Sequence, residues 1–346
     1  MALEAKTGLV RWAFQTVHHD LWDYDVGSQP VLVDLPIGGD LVPALVQPTK
    51  HGEIFLLDRR NGEPLAAVEE QPVPNGNVHG EHYSPTQPAS VGMPSLTPPT
   101  MTEKDMWGAT TLDQLWCRIA FRQLRYNGKF TPPGLDRSLS WPGNNGIMNW
   151  GSVSVDESRK LMAVSSSYMP LLVQLLPREQ APPGESISFD EHGVPISPQI
   201  GTPYAVSTER PFMSPLGVPC NAPPWGRLSV IDLNSREMLW QRPLGTTRDV
   251  APLGIAMPGA FTQGGSIVTQ GGLVFIAGAQ DDYLRAFDIN TGQELWKGRL
   301  PAGGQATPMS FVSAKNGKQY VVIAAGGHQY MQTTIGDHVV AFSLPD

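Results

Sequence analysis

Four short segments of the chain repeat one pattern, and that repetition limits the available folds more than any other feature. Ala2-Leu3-Glu4-Ala5-Lys6-Thr7-Gly8-Leu9-Val10-Arg11-Trp12 and Ala286-Phe287-Asp288-Ile289-Asn290-Thr291-Gly292-Gln293-Glu294-Leu295-Trp296 share an Ala, an acid two positions later, Thr-Gly, and a Trp four after the Gly. Residues 230–240, with Asp232, Ser235-Arg236 and Trp240, are a degraded copy, and residues 56–65, with Asp58 and Asn61-Gly62, are another. In each, an alternating apolar strand meets a turn and a second strand begins, which is a hairpin. Trp240 and Trp296 are 56 residues apart, close to the period of one blade of a β-propeller. Unrelated hairpins that happen to end in Trp would not be expected to keep acid, turn and Trp in register.

The remaining segments read mostly as hairpins, with strands over 228–231, 266–276 and 319–324 and a clear turn at Asn316-Gly317. There are two departures. Between 105 and 126, Leu112, Leu115, Trp116 and Ile119 recur at i, i+3, i+4 and i+7, which predicts one amphipathic helix with that stripe packed on the propeller. From about 171 to 225 the chain carries eleven prolines, Pro177 to Pro224. So many missing donors argue against a central ladder, and the tract is expected to be an ordered excursion between blades.

Composition narrows the function classes. A net charge of −8, with no basic stripe interleaved with aromatics, argues against a nucleic-acid surface. No stretch reaches the ~18 apolar residues of a spanning helix, and the first residues lack an apolar signal core. The chain as it stands reads as soluble and without an address. Cys117 and Cys220 have no CxxC spacing. They could pair in an oxidising compartment, but two buried thiols are the preferred reading, and two cysteines make a structural zinc site unfavourable.

The chemistry concentrates in Thr16-Val17-His18-His19-Asp20-Leu21-Trp22-Asp23-Tyr24-Asp25 and in Lys50, just before the strand-like residues 53–58. A carboxylate and an ammonium on adjacent strand ends can divide an alcohol oxidation, one taking the hydroxyl proton and the other stabilising charge on an electron acceptor. Neither side chain has a two-electron couple, so the reading requires an organic cofactor. His18, His19 and Asp20 could instead suggest a metal site. Adjacent residues on a strand point to opposite faces, however, so one imidazole packing or hydrogen-bonding beside the site and orienting Asp23 is preferred.

With these motifs the chain resembles the pyrroloquinoline quinone (PQQ) dependent dehydrogenases, in particular the membrane-bound glucose/quinate/shikimate dehydrogenase family. The resemblance runs over essentially all 346 residues, through residues 14–23, 57–62, 105–110, 300–309 and 325–328. It implies an all-β fold: the C-terminal half, about four to five blades, of an eight-bladed propeller, so that 1–346 is an incomplete propeller domain with a helical insertion near 105–126 and the proline-rich excursion near 171–225. The family's membrane helices and first blades have no counterpart here. Alignment with the family motif places the catalytic base at Asp23 rather than Asp20, and Lys50 at the position contacting the PQQ ortho-quinone oxygens. Asn149 and Trp150 match an Asn-Trp that contacts the cofactor in many quinoprotein alcohol dehydrogenases, and Thr307 would line the cofactor funnel. His328, after Ala325-Gly326-Gly327, would lie near the substrate, with His19 a second substrate-side imidazole.

The resemblance also implies electron transfer to membrane ubiquinone at the periplasmic face of the bacterial inner membrane. A calcium or magnesium ion accompanies PQQ in the family, with oxygen ligands in sequence absent here, so no metal ligand is assigned. Glucose enzymes tend to have an acid at the Asn149 position and a Gly-Ser-rich stretch in place of Gln329 to Asp337. Those departures favour a quinate/shikimate-type cyclic polyol over glucose. A non-catalytic propeller used as a binding or assembly scaffold is the alternative of another class.

Overall fold

In the computed structural model, which describes residues 1–190 and 193–345, the acid of three of the four internal repeats caps a turn. Asp58 Oδ1 accepts the Arg60 N–H at 2.8 Å, Asp232 Oδ1 that of Asn234 at 2.7 Å, and Asp288 Oδ1 that of Thr291 at 2.8 Å. A short carboxylate bonding the backbone two or three residues on replaces the missing turn donors. The turn then needs left-handed backbone, which Gly8, Gly62 and Gly292 supply at φ of 73°, 79° and 69°. In the degraded copy Arg236 adopts φ 60° at the same place. A further copy escaped the pattern because neither its Gly nor its Trp survives: Asp156 Oδ1 accepts the Ser158 and Arg159 N–H groups, and Lys160 takes φ 58°.

The glycines also serve packing. A Cβ on Gly62 would stand 2.5 Å from the Trp12 ring, and one on Gly292 would stand 2.7 Å from the Trp240 ring. Each indole therefore lies flat on the turn of the following repeat, and its Nε1 donates to a carbonyl there, Trp12 to Arg59 at 3.2 Å and Trp240 to Ile289 at 2.8 Å. This contact sets the stacking of consecutive sheets.

The sheets are antiparallel and succeed one another along the chain. Ala2–Leu3 pairs with Val10–Trp12; Val31–Ile37, Asp40–Pro48 and Ile54–Asp58 form a three-stranded sheet; Glu69–Pro72 pairs with Thr86–Ala89. Two four-stranded sheets follow, one from Val153–Asp156, Leu161–Ser167, Gly226–Asp232 and Glu237–Pro243, the other from Ser266–Val268, Leu273–Ile276, Tyr283–Asp288 and Glu294–Arg299. Met309–Val312, Gln319–Ala325 and His338–Ser343 close the series. Leu161, Val230, Val274 and Phe287 form one apolar layer between neighbouring sheets, and Ala277, Leu284, Val321 and Ile323 form the next. Face-to-face burial of this kind, repeated, is the propeller architecture expected from the repeats, and it is consistent with the partial propeller that the resemblance implies.

The proline-rich tract departs from its expectation. It leaves from within one sheet, after Ser167, and returns at Gly226 to complete that same sheet, so it does not separate two blades. It also forms a ladder. Leu171–Pro177 lies between Tyr204–Pro211 and Ser138–Ser140, and Pro195–Ser197 and Ser188–Phe189 extend the sheet to five strands. The ladder tolerates prolines because Pro170, Pro177, Pro203 and Pro211 sit at or just beyond strand ends, where no interior donor is lost.

The helix spans Thr111–Arg122, but its predicted face is reversed. Leu112, Leu115, Trp116 and Ile119 are 77, 50, 42 and 53% exposed, while Asp113 and Cys117 are buried. The Asp113 carboxylate accepts the Ala109 N–H at 3.0 Å, and Cys117 is bonded to Cys220. These two fix which side faces inward, with Phe121 next along the same face. The preference for two free thiols is thereby corrected: the cysteines, 103 residues apart, form a disulfide tying the helix to the returning leg of the insertion. Among the described residues no helix is long and apolar enough to cross a membrane.

Candidate functional site

Residues 21–25 form an irregular loop with bends at Leu21 and Trp22, yet from Trp22 to Asp25 buried and exposed residues alternate. Trp22 and Tyr24 turn inward around Phe130, Trp22 Nε1 donating to Thr131 O at 2.8 Å and Tyr24 OH to Pro142 O at 2.5 Å. The intervening Asp23 and Asp25 therefore face the other way, side by side. Asp23 takes φ 61°, a left-handed conformation rarely adopted by a non-glycine residue.

Lys50 comes from the turn joining Asp40–Pro48 to Ile54–Asp58, and its side chain is only 9% exposed. Its Nζ donates to the Asp23 carbonyl at 3.0 Å, stands 3.4 Å from Asp23 Oδ1, and makes a close ion pair with Asp25 Oδ1. Gly146 makes this burial feasible: a Cβ there would lie 2.6 Å from Lys50 Cγ. The next residue, Ile147, donates its N–H to the Lys50 carbonyl at 2.7 Å. Asn144 Nδ2 donates to Asp23 Oδ2 at 3.1 Å.

The electrostatics separate the two acids. Loss of hydration to the surrounding protein raises the Asp23 carboxyl above its ordinary value; Lys50 opposes the rise and the Asp25 carboxylate adds to it. Burial pushes Asp25 the same way, but its hydrogen bond and charge pairing with Lys50 outweigh that and hold it below the ordinary value. Asp20 is also raised by burial, against two backbone hydrogen bonds.

The sequence-predicted residues distribute as follows. Asp23 and Lys50 converge. Asn149 and Trp150 lie on the loop carrying Asn144 and Gly146; Asn149 Nδ2 donates to Asn145 O at 2.8 Å, and its Oδ1 accepts the Trp150 N–H at 2.8 Å. A Cβ on Gly27 would meet Asn149 Oδ1 at 2.8 Å, which places that amide against the backbone just beyond Asp25. Thr307 abuts Gly265, which in turn packs on Gly151, so it borders the same loop. His328 is joined only indirectly: its Nδ1 accepts the Met331 N–H at 3.4 Å, and neighbouring Tyr330 receives a hydrogen bond from Asn145 Nδ2 at 2.8 Å. His18 pairs with Glu70 at 2.9 Å and His19 with Glu81 at 3.1 Å, so the two imidazoles diverge. The hydrogen bond to the Asp23 carboxylate comes from Asn144 and not, as expected, from either histidine. Asp25 and Asn144 were missed by sequence reasoning.

Two observations bear on a quinone cofactor. The donor types suit one, an ammonium and the Asn144 and Asn149 carboxamides being able to satisfy carbonyl and carboxylate oxygens once they exchange their present partners, Asp23, Asp25 and Asn145. A cavity bordered by Gly146, Asn149, Gly151 and Gly264, and by Thr262, whose buried Oγ1 has no hydrogen-bond partner, is only about 10 Å³, room for a water and not for a cofactor ring. Among the described residues there is no group of three or more His, Cys, Asp or Glu side chains that could hold a metal ion.

Residues 1–321 match the family described as PQQ, glucose/ethanol/alcohol dehydrogenase, β-propeller domain. The whole chain is 51% identical to a probable quinate dehydrogenase (quinone) of Xanthomonas campestris pv. juglandis, and 46% identical to the quinoprotein glucose dehydrogenase of Escherichia coli K12. Over 99% of its length it is 48% identical to the quinate/shikimate dehydrogenase (quinone) of Acinetobacter baylyi. It spans 45, 44 and 43% of those proteins respectively, less than half of each. The quinohemoprotein alcohol dehydrogenase of Comamonas testosteroni aligns with 99% of the chain and 41% of its own at TM-score 0.58 and 21% identity, a likeness of fold.

Proposed function

Because the chain belongs to the PQQ glucose/ethanol/alcohol dehydrogenase β-propeller family, we propose that it carries the base and the charge-stabilising lysine of a quinone-reducing dehydrogenase acting on a cyclic polyol or sugar hydroxyl. The observation that carries the reading is the convergence of Lys50 and Asp23, with the ammonium buried and the carboxylate open. Asp23 would take the hydroxyl proton, an act worth about 10²- to 10⁴-fold. Lys50 would hold the quinone oxygens and stabilise the negative charge that develops there, worth about 10²- to 10³-fold. Asn149, Trp150 and Thr307 would border the cofactor, and His328 and His19 would stand on the substrate side. When bound, PQQ supplies the hydride-accepting couple that no side chain here possesses.

Quinate or shikimate is the favoured substrate type, supported by Asn149 and by the run Gln329 to Asp337, and by the 51% and 48% identities to proteins named for those substrates. Glucose is the second reading, on the 46% identity to a glucose dehydrogenase. The accompanying calcium or magnesium would take ligands from the part of its relatives that this chain does not span. Electrons would pass to ubiquinone at the periplasmic face of the inner membrane.

The test is titration of PQQ absorbance, with turnover measured in the full-length setting with PQQ and calcium. Asp23→Asn is expected to retain cofactor uptake and lose at least 100-fold in turnover, whereas Lys50→Ala loses both. Full turnover in both variants would remove the assignment and leave a non-catalytic scaffold.

A further inference from the structure

Asp23 has two sides. Lys50 occupies one, and the other opens, together with Asn144, into a cleft of about 690 Å³. The far wall of the cleft is built by the insertion. Strand register places Ser138, Val173 and Thr208 in one row across three strands, and Leu175 with Val206 in the next. These residues and Tyr204 all line the cleft, as period-2 alternation requires of one sheet face. The alternate residues Ala205 and Ser207 are buried on the opposite face. Among the described residues, the Tyr204 and Thr208 hydroxyls have no hydrogen-bond partner. A wall of branched aliphatic side chains edged by free hydroxyls matches a polyol ring, whose C–H face is apolar and whose rim is all hydrogen-bonding groups.

We propose that this face of the inserted sheet is the substrate wall. Val173, Leu175 and Val206 pack against the ring of a cyclic polyol, while Tyr204 and Thr208 bind its hydroxyls and so select which one reaches Asp23. The assignment rests on the dehydrogenase reading for its reaction, but not for its binding. Specificity would then reside in a segment that the propeller repeat does not require, so the blades could stay constant while the wall changes. A site built to pair a substrate hydroxyl rejects a ring lacking it far more strongly than an apolar pocket could.

Two measurements test this. Calorimetric titration of the cofactor-free chain with quinate and with D-glucose is expected to give saturable heat for one of them. Val206→Trp, which fills the cleft, should abolish that heat, while Lys315→Ala, an exposed residue outside the cleft, leaves it. In the PQQ-loaded full-length protein, Tyr204→Phe and Thr208→Val should change the quinate-to-glucose ratio of kcat/KM at least tenfold, with PQQ uptake unchanged. No heat with either ligand, or heat undiminished in a folded Val206→Trp chain, overturns the wall whatever the cofactor does. Unchanged ratios in both hydroxyl variants overturn the selective role. Absence of PQQ uptake with the calorimetric pattern intact would instead count against the dehydrogenase reading.

Discussion

Asp25 shares Lys50 with Asp23, and so controls how much of the ammonium's charge the proposed base feels. A base works only when ionised, so activity falls as pH drops through the pKa of Asp23. The Asp25 carboxylate raises that pKa, both as a like charge and through its hydrogen bond. Asp25→Asn removes the like charge and leaves Lys50 to Asp23, so the acid limb of kcat/KM should move to lower pH. A limb that stays in place, or moves up, would show that Asp25 does not act through the base. The Asp-x-Asp spacing was visible in the sequence, since alternate residues of an extended segment share a face. Its meaning was not, because nothing local says that Lys50 arrives there. Asn144 was harder still: it meets Asp23 across 121 residues, and an Asn-Asn pair between glycines reads as a turn.

The turns were legible because they are specified locally, by an acid and a left-handed position a few residues on. The helix was legible in extent but not in orientation. An apolar count misses a cysteine and an aspartate as core residues, yet Asp113 and Cys117 define the buried side. The proline tract was misread for a related reason, since prolines at strand ends cost a ladder nothing. The disulfide now gives these two elements a common dependence. Cys117–Cys220 closes a loop of 103 residues around the insertion, and chain entropy alone assigns such a loop about 4.7 kcal/mol. Cys117→Ser with Cys220→Ser should lower the melting temperature and the denaturant midpoint under oxidising conditions. Reduction of the parent chain should reproduce that loss and leave the double variant unaffected. If the two proteins melt alike when oxidised, the bond contributes no stability.

Across the molecule, neighbouring sheets bury apolar faces against each other in distinct layers. A closed ring repeats this contact until no face is left over, whereas here the first and last sheets of the series keep apolar side chains exposed. The consequence is visible at both limits of the series. Leu3, Leu9 and Val10 are exposed at one, and Met309, Phe311, Val312 and Val339 at the other. Apolar side chains in such number on sheet faces, with strand edges beside them, attract a second copy. The 346-residue chain by itself should therefore elute from size-exclusion chromatography as oligomers whose size grows with concentration. Charged substitutions on the outer faces, Phe311→Lys with Val339→Glu, should shift it toward monomer without altering PQQ uptake, because the Lys50 and Asp23 cluster lies in other sheets and loops. A sharp monomeric peak with cooperative unfolding in the parent chain would mean that the ring closes with fewer blades, and the exposed faces would then need another explanation.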